Sequence, residues 1–247
     1  MKKTIFYSAI TTVLAAGVST LASSQAMEST VTAKTETSVS VDYASSYVFR
    51  GTTLNKGAVL QPALGVETGA GISIGFWGNV DIDDNDGTAE ENQFSEMDLI
   101  VGYTLPLPDD RISASVGATE YLYPNSNAES DREVNLTVGV NVPLNPTVSM
   151  NYGVGGAVDK NMYTELGVGQ EVYNKSGITA GVAAALGHII PEDDEAETGL
   201  THGLVSANMG YKMVNASVNY VVETDEEVND LEEQEEFFVT IGAGTTF

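Results

Sequence analysis

The chain has 247 residues, no cysteine, and 35 acidic against 10 basic side chains, giving a formal net charge of −25. That balance leaves no electrostatic footprint for nucleic acid and no polybasic segment for anionic lipid. Without cysteine there is no disulfide, no thiolate metal site and no cysteine nucleophile.

In chain order, the first element reads as an export signal. Lys2 and Lys3 supply a positive start, an apolar stretch follows from Ile5 to Leu21, and Ser24-Gln25-Ala26 fits a cleavage site. Residues 1–26 are therefore expected to be a signal peptide and residues 27–247 a single domain. Ser8, Thr11, Thr12 and Ser19 make the stretch too short and polar for a retained anchor. No later run approaches the roughly 18 consecutive apolar residues of a spanning helix.

Beyond the signal the dominant hydrophobic period is two, which is the period of a strand. Ser38 to Arg50 sets Val39, Val41, Tyr43, Tyr47 and Phe49 against Ser40, Asp42, Ala44, Ser46 and Arg50. Ala58 to Glu67 follows more weakly. Gly71 to Ile82 then sets Ile72, Ile74, Phe76 and Val80 against Ser73, Gly75, Trp77, Asn79 and Asp81. Glu96 to Leu105, Ile112 to Leu122 and Glu133 to Val142 repeat the pattern, as do Val148 to Val158 and Tyr163 to Val172. The last four are Ile178 to His188, Leu204 to Lys212, Val214 to Val222 and Phe237 to Phe247. The total is about twelve segments of roughly ten residues, the length a tilted strand needs to cross a bilayer.

The connections alternate in length. Short turns at 68–71, 106–110, 143–146, 174–177 and 212–213 interleave with longer links at 51–57, 83–92, 124–132, 159–161, 191–201 and 223–236, where most of the acids gather. Short periplasmic turns and longer external loops are the habit of outer-membrane barrels. A secreted β-sandwich would also alternate, but its water face carries Lys and Glu, whereas here that face is mostly Gly, Ser, Asn, Thr and Ala, which suits a crowded lumen. The expected fold is all-β: a closed antiparallel transmembrane barrel of about twelve strands in the bacterial outer membrane, both termini periplasmic. Phe247 ends the chain as an aromatic carboxy-terminal residue, the kind of ending that the barrel-assembly machinery recognises.

The string Tyr47-Val48-Phe49-Arg50-Gly51, followed by Gln61-Pro62 and then Gly75-Phe76-Trp77-Gly78-Asn79-Val80-Asp81, resembles the TorF-type family of bacterial porins over residues 38–82. The resemblance implies an outer-membrane channel of unassigned substrate and brings no catalytic residues.

Parity places Arg50 in the lumen near the outer mouth, with Asp42, Asp98, Glu133, Glu165 and Glu171 inward as well. These six are the candidate selectivity residues. Two readings of Arg50 stand: a constriction that sorts solutes by charge, or an ion pair that locks strand register. Lys212 is also inward by parity. Asp81, Asp83 and Asn85 resemble part of a calcium loop, but the glycine is displaced to Gly87 and no closing glutamate follows. No cofactor is expected beyond loosely bound divalent cations at the external loops. His188 and His202 flank one external loop without a Gly-x-Ser-x-Gly elbow, so no enzyme is expected. The function expected is passive diffusion of small hydrophilic, cation-preferring solutes, with outer-membrane lipid and lipopolysaccharide around the barrel. The alternative is a non-conducting structural or adhesion barrel that acts through its acidic loops.

Overall fold

The computed structural model describes residues 34–83, 89–193, 196–222, 228 and 236–247, so the segment expected to be an export signal, residues 1–26, lies outside the described residues. Along the chain run β1 (Glu36–Ala44), β2 (Tyr47–Phe49), β3 (Thr52–Asn55), β4 (Val59–Glu67) and β5 (Ile72–Asp81). They are followed by β6 (Gln93–Thr104), β7 (Ile112–Leu122), β8 (Asp131–Val140), β9 (Thr147–Gly155) and β10 (Met162–Lys175). The last four are β11 (Ile178–Ile190), β12 (Gly199–Tyr211), β13 (Val214–Val222) and β14 (Phe237–Thr246). No helix among the described residues is long and apolar enough to cross a membrane.

All strands but β2 and β3 join in one closed antiparallel barrel, in which each strand pairs with its neighbours in the chain and β1 closes on β14. That is a barrel of twelve strands, as the sequence led one to expect. The seam runs from Ser38 opposite Thr246 to Ala44 opposite Thr240. Phe247 extends it, donating its N–H to the Thr37 carbonyl at 2.8 Å and accepting from the Thr37 N–H at 3.3 Å. Closure leaves no edge strand in the barrel wall, which matters where no water can satisfy backbone groups.

The period of two becomes two faces. Outward residues such as Ile74, Val101, Leu166, Val205 and Ile241 are among the most exposed large apolar side chains, at 49–61%. A continuous apolar exterior of this kind has no place in water and suits hydrocarbon. Aromatic residues frame it at two levels. Tyr43, Tyr152, Tyr220 and Phe237 stand toward the long-loop end, and Tyr103, Tyr173, Tyr211 and Phe247 toward the short-turn end, all of them exposed. Phe237 and Phe247 lie ten positions apart along the β14 end of the chain. At about 3.3 Å per residue and a tilt near 40°, that spacing gives a band about 25 Å tall.

Two details depart from the sequence reading. β1 ends at Ala44, not at Arg50, and the Tyr47–Arg50 segment is no part of the wall. Ser45 and Ser46 break the alternation, Ser45 Oγ accepting from the Val239 N–H at 3.1 Å, and the chain turns inward. Lys212 sits in the β12–β13 turn with φ 56° rather than on an inward strand face, its ammonium 5.0 Å from the Tyr211 ring centroid.

Candidate functional site

The link between β1 and β4 folds into the barrel as a small hairpin. Phe49 pairs with Thr52, so Arg50 and Gly51 form a two-residue loop in which both residues have positive φ, 51° and 84°. A two-residue hairpin loop of the type I′ class needs φ above zero at both positions. Glycine takes this freely, while arginine meets a cost of about 1–2 kcal/mol that its surroundings must offset.

They offset it with contacts around most of the circumference. Tyr47 is 2% exposed and donates its hydroxyl to Glu96 Oε2 on β6 at 2.7 Å, with its ring 5.7 Å from that of Trp77 on β5. Val48 is buried with Val221 of β13 and Phe238 of β14. Phe49 meets Tyr121 of β7 edge-on at 6.1 Å. Arg50 donates from both terminal nitrogens to the two oxygens of Glu133 on β8, at 2.8 and 2.7 Å. Its guanidinium lies 4.1 Å from the Tyr163 ring centroid on β10 and 4.7 Å from that of Phe49. Gly51 lies against His202 of β12 so closely that an added Cβ would stand 2.3 Å from His202 Cβ.

The wall facing the hairpin is a ring of hydroxyl-held carboxylates. Tyr121 donates to Glu133 at 2.9 Å, Tyr123 to Asp131 at 2.8 Å, and Tyr163 to Glu165 at 2.8 Å. His202 Nε2 is 4.0 Å from Glu165 Oε2, and Nδ1 is 3.0 Å from Thr201 Oγ1. A polar network on β4–β6 anchors the side of the mouth near the β5–β6 link. Gln61 donates to Asn79, which in turn donates to Asp81 and Ser95, and Asp81 accepts from the Ala89 N–H.

Of the six residues singled out by parity, four come together here. Arg50 and Glu133 form a bidentate ion pair, Glu165 stands beside Tyr163 and His202, and Asp98 lies directly across from Tyr121. Asp42 and Glu171 stand apart. Asp42 is opposite Gln61 and Gly242, and Glu171 accepts from Asn174 toward the short-turn end. Arg50 reaches the lumen through the hairpin tip and not through strand parity. His202, read from sequence as the polar edge of an external loop, is a β12 residue only 2% exposed. Sequence reasoning passed over the contact roles of Tyr47, Trp77, Glu96, Tyr121 and Tyr163. The usable signal was the Ser45-Ser46 break followed by an aromatic run, Arg-Gly and a second short alternation from Thr52 to Asn55.

Of the three residues with calcium-loop spacing, Asp81 and Asp83 are engaged separately. Asp81 faces its own strand network, Asp83 Oδ2 accepts from the Ala58 N–H at 3.0 Å, and Asn85 lies outside the described residues. Among the described residues, no three or more His, Asp or Glu side chains gather as a metal cluster.

Toward the short-turn end the inward face changes character. Thr137, Ser149, Asn135, Asn151 and Gly167 are partly exposed and lack bulk. A polar lumen therefore lies beneath a tightly packed mouth.

A family model described as "Bacterial protein of unknown function (Gcw_chp)" matches residues 28–195. It does not name the TorF-type porins to which the Tyr47–Gly51 motif pointed. No curated protein matches. Among solved structures, the barrel is similar to the NanC porin at 11% identity and a TM-score of 0.48, over 85% of this chain and 98% of that one. It is also similar to the outer membrane channel DcaP of Acinetobacter baumannii, at 13% identity and a TM-score of 0.42, over 87% and 96% of the two chains. Likenesses this loose carry no function across.

Proposed function

This chain belongs to the Gcw_chp family of bacterial proteins, and from that premise and its closed barrel we propose that it is a porin-like channel of the bacterial outer membrane. The observation that carries the reading is the lumen: small polar side chains line the half toward the short turns, while the apolar side chains face outward. Small hydrophilic solutes pass along that face and around the Tyr47–Asn55 hairpin, which acts as the constriction. The excess of carboxylates over arginine at this level favours cations over anions. The long acidic loops concentrate cations above the mouth within about 8–10 Å at ordinary salt, and divalent cations bridge them loosely. Both termini and the short turns face the periplasm. Lipopolysaccharide surrounds the outer leaflet side.

No feature of the site calls for an enzyme. His202 lies between Thr201 and Glu165, but at 2% exposure it offers no face to a substrate.

A second reading has an observation of its own. The hairpin is buried and bonded like a core element, so the barrel could be shut and act through its loops. Planar-bilayer recording on the refolded full chain separates the two. Steady conductance with a cation-selective reversal potential in a KCl gradient supports the channel, and anion selectivity overturns the charge assignment. Silence from both the native chain and Arg50→Ala overturns conduction altogether.

A further inference from the structure

Four of the inward carboxylates around the hairpin each have a tyrosine hydroxyl of their own. Tyr47 serves Glu96, Tyr121 serves Glu133, Tyr123 serves Asp131 and Tyr163 serves Glu165. Asp98 has none. It is 0% exposed, and neither of its oxygens receives a hydrogen bond from the protein. Its direct cross-strand neighbours are Trp77 on β5 and Tyr121 on β7, and the Tyr121 hydroxyl is committed to Glu133. Arg50 has both terminal nitrogens on Glu133.

A carboxylate taken out of water without a donor or a positive charge is strongly unfavourable, and the group must acquire one of these or a proton. Two further oxygen-bearing groups share the inner face around Asp98. The Glu96 carboxyl, two positions earlier on β6, lies within hydrogen-bonding reach of it. Thr119, two positions from Tyr121 on β7, is its diagonal neighbour on the inner face. The Thr119 hydroxyl is also buried and without a partner. Two carboxyls and a hydroxyl present oxygen alone, with no nitrogen or sulfur.

We propose that Asp98, Glu96 and Thr119 bind a divalent cation of calcium's size inside the barrel, beneath the inward hairpin. Calcium accepts six to eight oxygen ligands in irregular arrangements and completes them with water, whereas magnesium demands a stricter octahedron. Tyr47, already bonded to Glu96, then ties the hairpin to the cation site through one shared carboxylate. The proposal does not depend on conduction, because a barrel that passes no current can still hold the ion.

Trp77, the single tryptophan of the chain, makes the site visible. Terbium, a calcium substitute with luminescence excited through a nearby indole, is titrated into the refolded full chain after removal of metal with EDTA. The expected result is a saturable signal at one ion per chain that calcium displaces and Trp77→Phe abolishes. Asp98→Asn should weaken it at least tenfold, and Thr119→Val should weaken it less. Calcium should also raise the melting temperature of the native chain but not of Asp98→Asn, with retained heat-modifiable migration reporting that each variant folds. An equal terbium signal in Asp98→Asn would overturn the proposal. So would a native chain stabilised by acid alone, indifferent to calcium and giving no Trp77-dependent signal, since Glu96 and Asp98 would then share a proton.

Discussion

Arg50 and Glu133 are 83 positions apart in the chain, yet the guanidinium and the carboxylate meet through two parallel hydrogen bonds of 2.8 and 2.7 Å. One lies at the tip of a hairpin inside the barrel and the other on its wall, so the pair fixes where the hairpin rests.

The side chains of this pair are 15% and 3% exposed, which places them on the buried side of ion-pair behaviour. Removing one partner leaves the other charged and desolvated, at a cost of about 3–5 kcal/mol. Arg50→Ala and Glu133→Gln should each cost this much in denaturant unfolding of the refolded barrel, and the double variant should cost well below their sum. Strict additivity would show that the two residues are not coupled.

Gly51 carries a second constraint on the same hairpin. Its φ of +84° and the 2.3 Å gap from an added Cβ to His202 Cβ leave no room for alanine. The left-handed backbone alone costs about 1–2 kcal/mol. Gly51→Ala should lower the melting temperature and enlarge single-channel conductance by displacing the hairpin tip. An unchanged melting curve and unchanged current would mean that the tip moves freely.

The outer surface has its own test. Ile241 is 55% exposed near the middle of β14, between the two aromatic levels, and Met213 is 57% exposed in the β12–β13 turn. Ile241→Arg should cost about 2–4 kcal/mol in bilayer refolding, whereas Met213→Arg, at the interface, should cost about 0–1 kcal/mol. Equal small costs at both positions would argue that no hydrocarbon covers Ile241.

The wall of the barrel was legible because its information is local. Alternation in segments such as Ile72–Asp81 and Val214–Val222 is imposed by the pleat itself: each residue chooses lipid or lumen according to its parity. Inward Asp98, Glu133 and Glu165 followed from the same rule. The hairpin did not. Tyr47, Phe49 and Arg50 keep the period of two, so they read as a continuation of β1 until the partner strand β3 and the positive φ at Arg50 and Gly51 are seen.

What the amino-acid order determined by itself is therefore the count of twelve strand segments, their inner and outer faces and the placement of acid in the longer links. Parity and length are properties of a strand taken alone, and no fold is needed to evaluate them. The tertiary structure decided everything that depends on which strands face one another across the lumen. It turned the first long link inward, joined Arg50 to Glu133 and set Tyr163 under the guanidinium. It also left Asp98 beside Glu96 and Thr119 without a donor. Those contacts arise only when the barrel closes, because closure brings residues from β5 to β14 around a single axis and removes the water that would otherwise have served their charges.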